Sequence, residues 1–253
     1  MLEAYIREQQ EKKGILLMTH IVMGYPSFDE SLRLVEAMVS SGVELMELQI
    51  PFSEPMADGP VILHANQQAL ERGATVQKCL EFAEMVSRRF DIPFLFMSYY
   101  NVLFKFGVAE FANRMKSIGV KGAIVPDLPP EEAELYLQAM AEHELCPIFI
   151  FSPNTPNERL QMLSKHGSGF VYAVARKGVT GSETTFSNDL DLYLERCRAA
   201  TSLPLAVGFG VQSKADVDFL RGKADIAVIG SQTLRLVDRE GVAAVPAFIK
   251  SLR

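Results

Sequence analysis

Cysteine is scarce and unpaired. Cys79, Cys146 and Cys197 are the only three in a chain of 253 residues, and no two share a disulfide or zinc spacing. They read as thiols of a reducing cytoplasm, suited to packing rather than catalysis. Long hydrophobic runs are missing as well. The longest, such as Pro93 to Met97 and Ala224 to Ile229, are strand-length and far too short to span a bilayer. The N-terminal MLEAYIREQQEKKG is charged and lacks a signal-peptide core, so a cytoplasmic location is expected. There is no basic excess: 25 Lys and Arg face 31 Asp and Glu, a net charge of −6, which argues against nucleic acid or an anionic membrane as partner. No His/Asp/Glu cluster has metal spacing, so no metal is expected. No Gly-x-Ser-x-Gly nucleophile turn occurs.

What is present is an alternation of short apolar runs and amphipathic helices. Strands are expected near 16–22, 44–50, 93–98, 121–126, 146–151, 169–174, 203–207 and 225–229. Ser27-Phe28-Asp29-Glu30 is a capping-box signature, followed by Leu34, Val35, Met38 and Val39 at helical spacing and by Gly42 as a stop. Pro129-Pro130-Glu131-Glu132 and Ser213-Lys214-Ala215-Asp216 open further helices. One helix, about 2–12, precedes the first strand, and a short extra helix follows Pro60. Eight strand–helix units without a linker or low-complexity segment favour an α/β fold, a closed (β/α)8 TIM barrel forming one domain over 1–253. A second short extra helix is expected after strand eight. The rival, an open doubly wound sheet, needs a Gly-rich dinucleotide turn after the first strand, and Gly24-Tyr25-Pro26-Ser27 is not one. In such a barrel, chemistry sits on loops at the C-terminal strand ends.

The densest segment is Glu47 to Pro60, ELQIPFSEPMADGP. In its strand Met46, Leu48 and Ile50 share one face, while Leu45, Glu47 and Gln49 share the other. The all-apolar face suits the outer helices, so Glu47 points into the barrel near its mouth. A carboxylate there needs a partner or a task. A neighbouring tyrosine or serine would satisfy it, and a catalytic role would employ it. Asp58 lies in a turn, where a solvated acid is the default. Two carboxylates in different environments can hold different protonation states, as acid–base chemistry requires. Gly208-Phe209-Gly210-Val211 and Gly230-Ser231 follow the last two expected strands. Glycines at these ends let amides approach an anion beside a helix N-terminus, and they also serve ordinary turns.

In combination these motifs resemble the tryptophan synthase alpha subunit family, whose hallmark looks like ELG-x-PFSDP-x-ADGP. The resemblance extends from Gly24-Tyr25-Pro26 to Gly230-Ser231. It includes Tyr99-Tyr100-Asn101, Val125-Pro126-Asp127-Leu128-Pro129-Pro130, and Arg176-Lys177-Gly178-Val179-Thr180-Gly181, which is similar to the family's lid. The resemblance implies a lyase that splits indole-3-glycerol phosphate into indole and glyceraldehyde 3-phosphate by a retro-aldol step. Glu47 would shuttle protons, and Asp58 would hold the indole N–H. Ile62, Met97, Tyr172 and Phe209 would wall the indole pocket. Thr180 would help close the site, while Gly181, Phe209, Gly210, Gly230 and Ser231 would take the phosphate. Asp127 would orient the catalytic loop, with plain turn capping as an equal alternative. No cofactor is implied on this chain. Pyridoxal phosphate would belong to the partner beta subunit of an alpha2beta2 complex, met by Glu54, Pro55 and Asn101.

The departures from the family pattern are specific. Gln49 replaces a glycine, Glu54 an aspartate and Ala175 a serine. His20 stands where an aromatic is usual, with Thr19 for a proline. Gln49 faces the same way as Glu47, so its amide is expected either to bond Glu47 or to turn away. Gln49 and Glu54 motivate an alternative, an alpha-like subunit of weak lyase activity that mainly activates its partner. A sugar-phosphate isomerase would place acids at the ends of strands one and five, and Thr19-His20-Ile21-Val22 and Ile148-Phe149-Ile150-Phe151 carry none.

Overall fold

The computed structural model describes residues 2–174, 188–208 and 210–253. Among these residues nine strands, all parallel, form one sheet: β1 Leu16–Val22, β2 Leu45–Gln49, β3 Phe94–Met97, β4 Gly122–Ile124, β5 Cys146–Ile148, β6 Ile150–Phe151, β7 Val171–Val174, β8 Leu205–Gly208 and β9 Ile226–Ile229. Their order is β5-β4-β3-β2-β1-β9-β8-β7-β6. The two edges, β5 and β6, are halves of the single strand expected at 146–151, parted at Phe149. One half pairs with β4 and the other with β7. The sheet therefore returns on itself as the expected eight-fold barrel.

Strand parity sorts the core into two layers. Leu16, Met18, Leu45, Leu95, Met97, Ile124, Ile148, Ala206, Ile226 and Val228 fill the barrel. Leu17, Ile21, Met46, Leu48, Ile50, Phe94 and Phe96 face the other way, into the layer shared with the helices. The N-terminal helix α1 (Leu2–Lys13) closes one end, adding Leu2 and Ile6 to the interior cluster. Beside it, buried Glu44 accepts the Leu17 N–H at 2.7 Å and pairs with Lys13 at 2.6 Å and with Arg253.

The helices follow their caps. Ser27 accepts the Glu30 N–H ahead of α2 (Phe28–Ser40), and Gly42 leaves it at φ +92°. The helix after Pro60 is α3 (Pro60–Glu71), followed by α4 (Val76–Arg89) with Thr75 as cap. Then come α5 (Tyr100–Phe106) and α6 (Val108–Ile118). The helix expected from Pro129 starts later. Residues Pro130–Glu132 form a separate 3-10 turn, Ala133 departs from helical ψ at 10°, and α7 runs Glu134–Glu142. The chain continues through α8 (Asn157–His166), α9 (Asn188–Ala200) and α10 (Lys214–Leu220), whose capping box joins Ser213 and Asp216. After β9 come α11 (Ser231–Glu240), a 3-10 turn and α12 (Val245–Ser251), supplying the extra helical piece expected there.

One glycine is required by close approach. Gly122 is in register with Cys146, and a Cβ added to it would collide with the Cys146 carbonyl oxygen. Gly122→Ala is expected to destabilise the chain by about 1–3 kcal/mol, as overpacking in a tight core does. An unchanged midpoint in denaturant unfolding would contradict this packing.

Candidate functional site

The site is built on β1 and β2, paired in parallel with His20 opposite Glu47. Both side chains point into the barrel and are nearly solvent-free, at 4% and 2% exposure. His20 Nδ1 lies 2.9 Å from Glu47 Oε2. The satisfying partner of the inward acid is thus a histidine on the neighbouring strand, not the tyrosine or serine that alternation alone leaves open. Among the described residues Glu47 Oε1 and His20 Nε2 are buried without a hydrogen-bond partner.

Burial alone would push the His20 pKa down. The hydrogen bond and charge of Glu47 outweigh that, with lesser help from Asp58 and Gln49, and raise it above the ordinary 6.5. Gln49 contributes although its Oε1 closes no hydrogen bond.

Gln49 takes neither course expected for it. Its Nε2 donates to Asp58 Oδ2 at 2.6 Å, tying the strand end to the acid in the loop. Tyr99 Oη also donates to Asp58 Oδ2, at 3.2 Å, and accepts the Ala57 N–H at 3.0 Å. Phe52 stacks on the Tyr99 ring at 5.1 Å, and its N–H is held by Asn66 Oδ1 at 2.9 Å. Among the described residues both bonds to Asp58 fall on Oδ2, leaving Oδ1 open. Asp127 accepts the Tyr100 N–H at 2.8 Å, so it secures the start of α5 next to Tyr99 and reaches the loop only through that tyrosine.

The remaining candidates fall around this pair of acids. Tyr172 on β7 is half-buried at the barrel mouth, where desolvation, then Glu47 and Asp58, hold its hydroxyl protonated well above its usual range. Gly208 makes room for it, since a Cβ there would stand 2.9 Å from Tyr172 Oη. Met97 is on β3 and buried, and Ile62 is half-buried on α3. Gly210 has φ +87°, while Gly230 and Ser231 form the N-terminal end of α11, at the same rim because β8 and β9 pair in parallel. Glu54 and Asn101 are exposed and Pro55 is buried. Thr180, Gly181, Phe209 and the lid-like segment from Arg176 lie outside the described residues. Among the described residues no group of three His, Cys, Asp or Glu could hold a metal ion, and no helix is long and apolar enough to cross a membrane.

The family model described as tryptophan synthase alpha chain matches residues 6–248. The chain belongs to the tryptophan synthase alpha chain family.

It is 64% identical to the tryptophan synthase alpha chain of Desulforapulum autotrophicum over 252 residues, covering 100% of both. Among solved structures it resembles tryptophan synthase from M. tuberculosis in an aminoacrylate-bound form, with a TM-score of 0.90 at 30% identity, over 99% of this chain and 97% of that one. It also resembles the tryptophan synthase complex of Pyrococcus furiosus, with a TM-score of 0.86 at 28% identity, over 94% and 97%.

Within this alpha-chain framework, His20 is the residue that sequence reasoning passed over. The available signal was parity: His20 alternates with Leu16 and Met18, inward positions of a strand adjacent to that of Glu47. A group with a raised folded-state pKa stabilises fully below its unfolded value and loses that contribution as pH rises through the folded one. His20→Phe is therefore expected to cost about 1.5–3 kcal/mol near pH 6, the range for hydrogen bonds to charged groups. The difference should shrink steadily above that pH, as read from paired thermal unfolding curves. A difference independent of pH would show that the histidine is not charged in the fold.

Proposed function

We propose that this chain performs its family's carbon–carbon lyase reaction, cleaving indole-3-glycerol phosphate to indole and glyceraldehyde 3-phosphate, with Glu47 and Asp58 as its acid–base and electrostatic groups. The observation that carries this reading is common to both acids. Each has one oxygen held, Glu47 Oε2 by His20 and Asp58 Oδ2 by Gln49 and Tyr99, and the other oxygen unengaged among the described residues.

The chemistry follows from those two open oxygens. Glu47 Oε1 gives a proton to C3 of the indole ring, and the positive charge appears at N1. Asp58 Oδ1 accepts the N1–H and stabilises that charge. The glycerol hydroxyl then returns a proton to Glu47, the C3 to side-chain bond breaks, and its electrons restore the aromatic ring. No proton is gained or lost overall. Met97, Ile62 and Tyr172 wall the ring. Amides of Gly210, Gly230 and Ser231, with the dipole of α11, receive the phosphate, joined by Gly181 and Phe209, while Thr180 helps close the site.

The whole chain acts as one barrel domain and as the alpha subunit of an alpha2beta2 complex in the cytoplasm, with pyridoxal phosphate confined to the beta subunit. Solved relatives are described as tryptophan synthase and as a tryptophan synthase complex. A docking face on the catalytic rim is supported by Met56, 90% exposed, and Phe104, 67% exposed, beside Glu54 and Asn101 on the loop and helix that follow adjacent strands.

Glu47→Gln should lower the rate of indole release by about 10²–10⁴, the usual worth of a general acid–base group. A loss below about threefold would remove Glu47 from the mechanism.

The hydrogen bond from Gln49 to Asp58 favours a second reading, an alpha-like subunit of weak lyase activity that mainly activates its partner. A 2.6 Å donor on Asp58 already supplies part of what the indole N–H would. On this reading Gln49→Gly raises the lyase rate of the isolated chain. An unchanged or lower rate in a folded variant would leave the activator reading without its support.

A further inference from the structure

The lyase chemistry proposed above uses two acids, yet the barrel interior holds a third titratable group that it does not use. His20 is in register with Glu47, 2.9 Å from its Oε2, and only 4% exposed. A buried ionisable side chain in an otherwise apolar barrel is costly, and a half-satisfied buried polar set is costlier still. Here, among the described residues, both members of the pair keep one buried atom without a partner, Glu47 Oε1 and His20 Nε2. For a purely structural pair that arrangement is poor. It suits a pair that must leave one carboxylate oxygen available.

We propose that His20 is a positioning residue for Glu47: by occupying Oε2 it makes Oε1 the only oxygen that exchanges protons with the substrate. This rests on the lyase reading of Glu47. When the Oε1–H bond breaks and a C3–H bond forms, the carboxylate keeps its hydrogen bond from the imidazole. When the glycerol hydroxyl releases its proton, the Oε1–H bond forms again. His20 neither gains nor loses a proton over the cycle.

Among the described residues the groups facing His20 are few. From β2 come Glu47 and Gln49, from the loop after β2 Asp58, and across the mouth Tyr172 on β7, which stays neutral. On its other side β9 offers the apolar Val228 and then Gly230, where an added Cβ would stand 3.9 Å from the His20 Cβ. The pair can therefore keep its proton to a higher pH than a free histidine would, and the rate should fall on the alkaline side as that proton is lost.

The test compares wild type, His20→Phe and His20→Gln in the full chain, alone and with a beta subunit, measuring kcat and KM for indole-3-glycerol phosphate across pH. His20→Gln keeps a donor for Oε2 but cannot titrate. The expected result is a loss of tenfold or more in kcat for His20→Phe with KM within about threefold, the lower range of acid–base effects. His20→Gln should recover part of kcat, and neither variant should keep the alkaline limb in its wild-type position. Equal losses in both variants, losses carried by KM, or a wild-type pH profile in His20→Phe would overturn the proposal and leave His20 a packing residue. If wild type itself releases no indole in either state, the lyase reading fails and this inference falls with it. If wild type is active and only the His20 variants are neutral, the inference alone falls.

Discussion

The parallel register of β1 and β2 is the constraint from which the site follows. It places His20 opposite Glu47. Without that neighbour, a carboxylate on an inward position among Leu16, Met18, Leu45 and Leu95 would carry a large desolvation cost or stay neutral. With it, one oxygen is held by the imidazole, and the other meets no partner among the described residues. The same division recurs at Asp58, where Gln49 and Tyr99 take Oδ2. Strand β2 thus presents two acids at different depths, one directly and one through a glutamine at its end.

The rest of the rim serves to hold these atoms still. Asp127 fixes the Tyr100 amide, Tyr99 reaches from there to the loop of Asp58, and Phe52 stacks on Tyr99 while its own amide is held by Asn66. The bond shown for Asp127 is the capping one. Asp127 accepts the N–H at the start of α5, and Tyr99, the residue before, bonds the loop of Asp58. The opposite end of the barrel is stabilised separately, by α1 and by Glu44 with Lys13 and Arg253, so changes at the mouth need not disturb the base.

Much of this was legible in the residues. Alternation of apolar runs with helical patterns placed every strand to within a residue or two. The parity of Leu45, Glu47 and Gln49 put Glu47 inside, and the ELQIPFSEPMADGP segment named the family that the comparisons show. What escaped was pairwise. Nothing local to Thr19-His20-Ile21 says which residue lies opposite, because register is a property of two strands and of the barrel's stagger. For the same reason the partner of Gln49 could not be read. Strand parity directs it toward Glu47, but the loop brings Asp58 back over the strand end. The delayed start of α7 is a smaller case, in which consecutive prolines form a turn of their own instead of the first turn of the helix.

On the lyase reading, each acid is held by one oxygen and works with the other. The most direct measurement is a structure of the chain with a non-cleavable analogue of indole-3-glycerol phosphate bound. The claim requires Glu47 Oε1 to face C3 while Oε2 remains on His20, and Asp58 Oδ1 to accept the indole N–H while Oδ2 remains on Gln49 or Tyr99. An indole ring seated away from Glu47, or a Glu47 that releases His20 and turns Oε2 to the substrate, would contradict it.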